Sequence, residues 1–388
     1  MQGKFDFIDE EMDRRRQCHQ VRELQAVENA EGSWVRVGGR AMVNFCSNDY
    51  LGLAGHPALK QRAADYIKRY GAGSGASRLV CGNHVFFAPV EERLAALKGA
   101  EAAMVFNSGF QANVSILAAL ADRESLILSD RLNHNSLIQG ARLARCRIEI
   151  FDHNDLDHLQ ALLEKSSGRG FSRIFIVTES IFSMDGDQCP IDDMVSLARR
   201  FGAILVVDEA HATGVIGLRG MGLTCGKGVD VVIGTFSKGC GAFGAYVACS
   251  RKVRDYLINC CAGIIYSTAL PPAVLGAISG ALALIPEMDA ERHRLHGQAD
   301  FLRNSLHRLG WDCGRSTTQI VPVIVGKESD TLALSEWLKK NDIFASAIRP
   351  PTVEENKSRI RLTVTLLHCE ADMQRVVDAF EQWKGYSA

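Results

Sequence analysis

Lys238 sits in GTFSKGCGAFGAY, residues 234–246, a stretch with little side-chain bulk that follows the apolar run DVVIG. A solvated surface lysine needs no such surroundings, whereas a lysine that bonds covalently to an aldehyde does. Upstream, AILVVDEAHATGVIG runs from a continuous apolar strand into Asp208, with His211 three residues on. Two further segments, FNSGF and DRLNHNS, place glycine, asparagine and His134 where other apolar runs end. Singly, each group has an ordinary reading, Asp208 as a helix cap and His211 as a satisfied neighbour. Together they match one chemistry. A lysine held as a Schiff base with pyridoxal phosphate (PLP) turns that cofactor into an electron sink for carbanions, and the sink works best with a carboxylate at the ring nitrogen. Asp208 suits that position. A phosphate calls for backbone N–H donors at a helix start, which Gly109 and Phe110 in NSGFQAN offer, with the Thr235 hydroxyl as a further donor. His134 is the candidate for a ring face over the pyridine.

These groups must be held by a scaffold. From about His56 onward, short apolar runs alternate with helical stretches: AAMVFNSGF, SLILSD, IEIFDHND, RIFIVTES, AILVVDEAH, VVIGTFSK and GAYVACS. The alternation predicts an α/β fold with a mostly parallel central sheet covered by helices on both faces. In open α/β sheets the ligand crevice lies at the carboxyl ends of the strands, which is where the candidate groups stand. Ahead of the sheet, the pattern predicts a charged helix over about Asp6 to Leu24, then a hairpin in WVRVGGRAMVNF turning at Gly38-Gly39. After IYSTALPPA come longer helices, strands in QIVPVIVG and SRIRLTVT, and a final helix from about Cys369, which together read as a smaller C-terminal α+β lobe. The expected divisions are residues 1–55, 56–275 and 276–388.

Bulk properties narrow the function classes. The 388 residues carry 44 Lys+Arg against 45 Asp+Glu, a net charge of −1, so nothing suggests a nucleic-acid or anionic-membrane partner. The twelve cysteines are scattered without a CxxC framework, which points to reduced thiols and a cytoplasmic setting. The amino terminus is charged, unlike a signal peptide, and AVLGAISGALALIP is too short to cross a bilayer. No metal site is expected.

NFCSNDYLGL, GAGSGASRLVCGN, NSGFQAN, SDRLNHNSLIQG, TESIFSMDGD, DEAHATGVIG, GTFSKG, IYSTALPP and AIRPPTV…SRIRLTVT occur in one order along nearly the whole chain. On these motifs the chain resembles the α-oxoamine synthases, a family of fold-type I PLP-dependent transferases. The resemblance implies Lys238 as the Schiff-base lysine and general base, Asp208 at the ring nitrogen, and His211 with Ser183 near the ring hydroxyl. It implies Gly109, Phe110 and Thr235 at the phosphate, and His134 stacked on the ring where it also meets substrate. Asn48 and Arg361 resemble the groups that hold the amino-acid carboxylate, and Arg22, Arg349 and Thr352 the acyl contacts. A homodimer is implied, with sites at the interface and Ser267 and Thr268 reaching the partner's cofactor. Within the family, AIRPPTV points to the branch whose acyl chain ends in a carboxylate, condensing L-alanine with pimeloyl-CoA or a pimeloyl-acyl carrier protein and losing CO2. Members that use glycine, an aminotransferase that releases a keto acid, and a silent subunit are the alternatives; the retention of Lys238, Asp208 and His211 argues against the last.

Plainer readings stand beside these. Arg22 belongs to an arginine-rich helix and could be solvated; Arg349 and Arg361 could form surface ion pairs. Ser183 and Asn48 could be turn residues. Cys240, where the family often has other residues, reads as a small hydrophobe packed on the strand. The small residues near Lys238 would leave its amine room to swing.

Overall fold

The computed structural model describes residues 3–386 and separates into two compact units. The larger comprises Asn48–Ser183 and Asp187–Arg294. Its seven-stranded sheet runs in the spatial order Ala102–Phe106, Ala245–Cys249, Val231–Thr235, Ile204–Asp208, Ile174–Glu179, Leu126–Asp130, Arg147–Phe151. Only Ala245–Cys249 is antiparallel to its neighbours; the remaining pairs are parallel. All seven strands coincide with the apolar runs read from the sequence.

Alternate strand residues face opposite sides, so both sides must be apolar to be covered. Ile127, Phe175, Val177, Val206 and Ile233 pack with Ala112, Ile116 and Leu117 of the helix Gly109–Leu120. Leu126, Leu128, Ile176, Leu205 and Val207 pack on the other side with Leu159, Leu163, Met194 and Val195. The helix Ile191–Phe201 shows the pattern that makes this work: Ile191, Met194, Val195 and Ala198 recur at helical spacing and are buried. Each large apolar side chain so buried stabilises the unit by about 1.5–3 kcal/mol. The helix stops at Gly202, whose φ of 62° lets the amides of Gly202 and Ala203 reach back to the Arg199 and Ala198 carbonyls.

The second unit comprises the residues up to Ser47, Met184–Gly186 and the residues from Leu295 onward. The hairpin forms as expected, Trp34–Val37 against Arg40–Asn44, and is extended by a parallel strand, Ile343–Phe344. A three-stranded antiparallel sheet sets Ser358–Thr363 between Ile320–Gly326 and Ser346–Ile348. The last helix is Glu370–Tyr386.

One element is shorter than the sequence pattern suggests. The first helix is Asp6–Gln17, not about Asp6 to Leu24. The chain turns left-handed at His19 (φ 54°), whose carbonyl accepts from the Arg349 guanidinium, so Arg22 lies beyond the helix and not on it. All twelve cysteines are free. Among the described residues no single helix is long and apolar enough to cross a membrane.

Candidate active site

In the larger unit, the strand ends bring the candidate groups together. Asp208 closes its strand and is buried; one carboxylate oxygen accepts from Asn113 Nδ2 (2.7 Å), the other from the Ala210 amide (2.8 Å). Both donors are neutral. A buried carboxylate with neutral donors is primed for a cationic partner such as a protonated ring nitrogen. His211 is also buried: its Nε2 lies 2.7 Å from Lys238 Nζ and its Nδ1 2.5 Å from the Tyr50 hydroxyl. That hydroxyl also reaches Asn48 Oδ1 at 3.3 Å. Lys238 is thus oriented by an imidazole that is itself fixed by Tyr50.

The glycines around Lys238 have a cause the sequence reading did not foresee. A Cβ on Gly239 would come within 2.6 Å of the Thr213 carbonyl oxygen and 3.2 Å of Val215 Cγ2. On Gly241 (φ +60°) it would come within 2.3 Å of the Ala54 amide nitrogen. Close backbone approach, not space for a swinging side chain, requires these glycines, and it fixes the turn that carries the lysine. Cys240 is fully buried there, and burial pushes its thiol up to about 12, as befits a small packing residue.

Ser108 caps the helix Gly109–Leu120 by accepting from the Gln111 amide (3.2 Å). The amides of Gly109 and Phe110 head this helix, where no preceding turn supplies them an acceptor. A Cβ on Gly109 would meet only Thr235 Cβ, at 3.9 Å. Thr235 and Ser237 share a hydroxyl hydrogen bond of 2.7 Å. Helix amides, an open glycine and two hydroxyls form a cradle that fits a phosphate. Ser267 accepts from Asn107 Nδ2 (2.8 Å) and Gln111 Nε2 (2.9 Å), and the Thr268 carbonyl accepts from Asn107 Nδ2 (2.8 Å), so this loop lies against the start of the same helix.

His134 is the N-cap of Asn135–Leu143 and bonds Ser136 Oγ through Nδ1 (2.7 Å). Ser136 in turn accepts from Asn113 Nδ2 (2.8 Å), which links His134 to Asp208 through two side chains. Surrounding protein atoms lower the His134 pKa against the opposing pull of Asp208, with Lys238 lowering it further. The residue is exposed. Ser183 is buried in a turn closed by the Phe182 amide on the Asp187 carbonyl (3.1 Å).

Sequence reasoning missed four participants. Tyr50 stands two residues after Asn48, Asn113 one helical turn after Gly109, and Ser136 two residues after His134. Glu179 ends its strand in register with Asp208 and accepts from the His134 amide (2.6 Å). Burial and the Asp208 charge raise its pKa above the usual carboxylate value. The signal was present in all four: Glu179 closes an apolar run just as Asp208 does, and the others neighbour residues already singled out.

In the second unit, Arg22, Arg349 and Thr352 line one cavity of about 130 Å³ with Gln20 and Ile348. Arg22 donates to Thr352 Oγ1 (3.0 Å), and Arg349 donates to the His19 and Val21 carbonyls. Burial and the nearby Arg22 charge lower the Arg349 pKa. Arg361 is buried on Ser358–Thr363 and bonds Thr363 Oγ1 (2.8 Å), which removes the surface-pair reading for it.

Known proteins resemble this chain along most of its length. The model of the family "Aminotransferase class I and II" matches residues 40–380. The 8-amino-7-oxononanoate synthase of Gluconacetobacter diazotrophicus is 48% identical over 381 residues, covering 96% of this chain and 94% of its own. That of Geobacter sulfurreducens is 45% identical over 375 residues, 95% of each chain. Among solved structures, Sphingomonas wittichii serine palmitoyltransferase superposes with a TM-score of 0.92 at 25% identity, covering 99% of this chain and 98% of that one. The chain belongs to the aminotransferase class I and II family and has the architecture of the fold-type I PLP-dependent transferases.

Proposed function

We propose that the protein condenses L-alanine with a pimeloyl thioester to give 8-amino-7-oxononanoate, CO2 and a free thiol, a step of biotin biosynthesis, with PLP as cofactor. The carrying observation is the Lys238 amine held 2.7 Å from His211 at the carboxyl ends of the central strands, where buried Asp208 accepts from the neutral Asn113 and Ala210 donors. The two relatives at 48% and 45% identity, each matched along nearly its whole length, support the substrate pair.

When bound, PLP supplies an aldehyde that takes up the amino acid and a protonated ring that accepts the electron pair left at its α-carbon. The chain's own groups do the rest. Asp208, its oxygens fixed by Asn113 and Ala210, keeps a negative charge at the ring nitrogen. Gly109, Phe110 and Thr235 would hold the phosphate, His134 would face the ring, and Ser183 and His211 would meet the ring hydroxyl. Lys238 removes the α-proton of alanine as general base, steered by His211 and behind it Tyr50. Asn48 of the larger unit is assigned to the alanine carboxylate, the role the family resemblance also gives to Arg361. A bond forms between the alanine α-carbon and the acyl carbonyl carbon and the C–S bond breaks to expel a thiolate, which takes a proton from solvent; the carboxylate then leaves as CO2, and the electron pair it leaves at the α-carbon takes a proton from the Lys238 ammonium.

The paired guanidiniums of Arg22 and Arg349 favour an acyl chain that ends in a carboxylate, which separates pimeloyl from acetyl or palmitoyl donors. The thiol is that of coenzyme A or of an acyl carrier protein. We further propose a homodimer, for which the exposed Leu79, Val80, Phe110 and Tyr266 beside the Ser267 loop supply an apolar surface. The test is a panel of alanine, glycine and serine with pimeloyl, acetyl and palmitoyl thioesters, read by product mass. Product from alanine and pimeloyl thioester alone supports the proposal; preference for glycine, or for serine with palmitoyl thioester, overturns it.

A further inference from the structure

The segment DHND, which follows the sheet-edge strand Arg147–Phe151, carries a group that the mechanism above does not use. The His153 imidazole lies with Nδ1 3.0 Å from Asp130 Oδ1 and Nε2 2.7 Å from Asp187 Oδ2. Both carboxylates are buried. A carboxylate oxygen only accepts, so an imidazole that bonds one through each nitrogen must carry a proton on both and is an imidazolium. Phe182 meets the ring edge-on at 4.3 Å between centroids and shields it.

What this cation joins gives it a role. Asp130 Oδ1 also accepts from the Leu132 amide (2.8 Å), closing the turn that leads to Asn133 and His134, and its Oδ2 accepts from the Asn154 amide (3.0 Å). Asp187 receives the Phe182 amide on its carbonyl (3.1 Å), closing the turn that holds Ser183. Asn154 Nδ2 adds bonds to Asp187 Oδ2 (3.1 Å) and the Gln188 carbonyl (3.3 Å). We propose that His153 is a positioning residue: as an imidazolium clamped between Asp130 and Asp187, it locks the His134 turn to the Ser183 turn and so sets both side chains for the cofactor. This rests on the placement of PLP against His134 and Ser183 given above.

The charged groups facing the ring are Asp130 and Asp187. The Cys189 thiol is pushed far up by burial and by these same two charges; Arg131 and Asp152, which follow Asp130 and Phe151 in the chain, pair with each other, and His158 on the helix Leu156–Ser166 bonds Asp152. Burial opposes the His153 charge, but its bonds to the two aspartates outweigh this and hold it up to about 10. The imidazolium therefore persists through the working pH range of most enzymes.

Two measurements test the proposal in the full-length protein. In the wild type, ring-nitrogen NMR of His153 is expected to show both nitrogens protonated at pH 8; a ring that titrates near the ordinary 6.5 overturns the clamp. In His153→Asn, the PLP dissociation constant, read from cofactor absorbance on titrating the apoprotein, is expected to rise about tenfold, the low end for a charged hydrogen bond. Asp187→Asn should do the same, with no further rise in the double variant. An unchanged dissociation constant, or equal loss of melting temperature with and without PLP, reduces His153 to a structural residue and overturns the proposal. Wild-type protein that binds no PLP would instead refute the cofactor placement, so the two failures are distinguishable.

Discussion

The paired arginines make the sharpest prediction, because their effect must depend on one end of one substrate. Arg22→Met removes a guanidinium from the cavity that also holds Arg349 and Thr352. In the absence of substrate the loss is small: the exposed bond to Thr352 is worth a few tenths of a kcal/mol, and removing the Arg22 charge relieves the repulsion that lowers the Arg349 pKa. With a pimeloyl thioester bound, the variant lacks one charged hydrogen bond to the terminal carboxylate, worth about 1.5–3 kcal/mol, or about 10- to 150-fold in kcat/KM. Arg22 is exposed and therefore screened, which places the expected loss near tenfold. Thiol release from pimeloyl and from octanoyl thioesters, the latter without the carboxylate, measures it. The account expects the tenfold loss with pimeloyl thioester only, at an unchanged melting temperature. Equal losses with both substrates, or none, would refute the assignment of this cavity.

Other perturbations probe the frame. Gly239→Ala forces a Cβ against the Thr213 carbonyl and Val215, so urea denaturation should show a loss of about 1–3 kcal/mol, with weakened PLP retention. Lys98→Met strands the fully buried Glu209 beside Asp208, and the same assay should show a cost of about 3–5 kcal/mol, partly recovered in Lys98→Met with Glu209→Gln. His368, stacked on Phe45 at 4.1 Å, is held by burial at about 4 against an ordinary 6.5. The unfolded chain therefore takes up a proton that the folded one refuses. Stability should be full above about 6.5 and fall by up to about 3 kcal/mol as the pH drops towards 4, a loss absent in His368→Gln.

The central sheet was legible because its strands are covered on both faces, which leaves unbroken apolar runs such as ILVVD and IFIVTE with polar residues only at their carboxyl ends. The same feature exposed Lys238, Asp208, His211 and His134 as a set. Long-range pairing is what the linear pattern hides. The first helix stops early at a left-handed His19, where the amides of His19 and Gln20 close back on the Arg16 and Arg15 carbonyls while Arg349, 330 positions away, takes the His19 carbonyl, and the hairpin Trp34–Asn44 is completed by Ile343–Phe344. Glycines 239 and 241 read as clearance for a side chain, whereas their reason is the backbone of Thr213 and Ala54 pressed against them. Tyr50 was quoted within its motif and passed over, since only the fold shows its hydroxyl on His211. Glu179 closes RIFIVTES as Asp208 closes AILVVDEAH, but only the fold sets the two in register.

Everything chemical here depends on the Lys238 amine meeting a pyridoxal aldehyde. The direct test is borohydride reduction of the PLP-loaded protein followed by peptide mass spectrometry. The account predicts a pyridoxyl group on Lys238, loss of the visible absorbance band on reduction, and neither in Lys238→Ala. A colourless wild-type protein, or a pyridoxyl group on a different lysine, would contradict it.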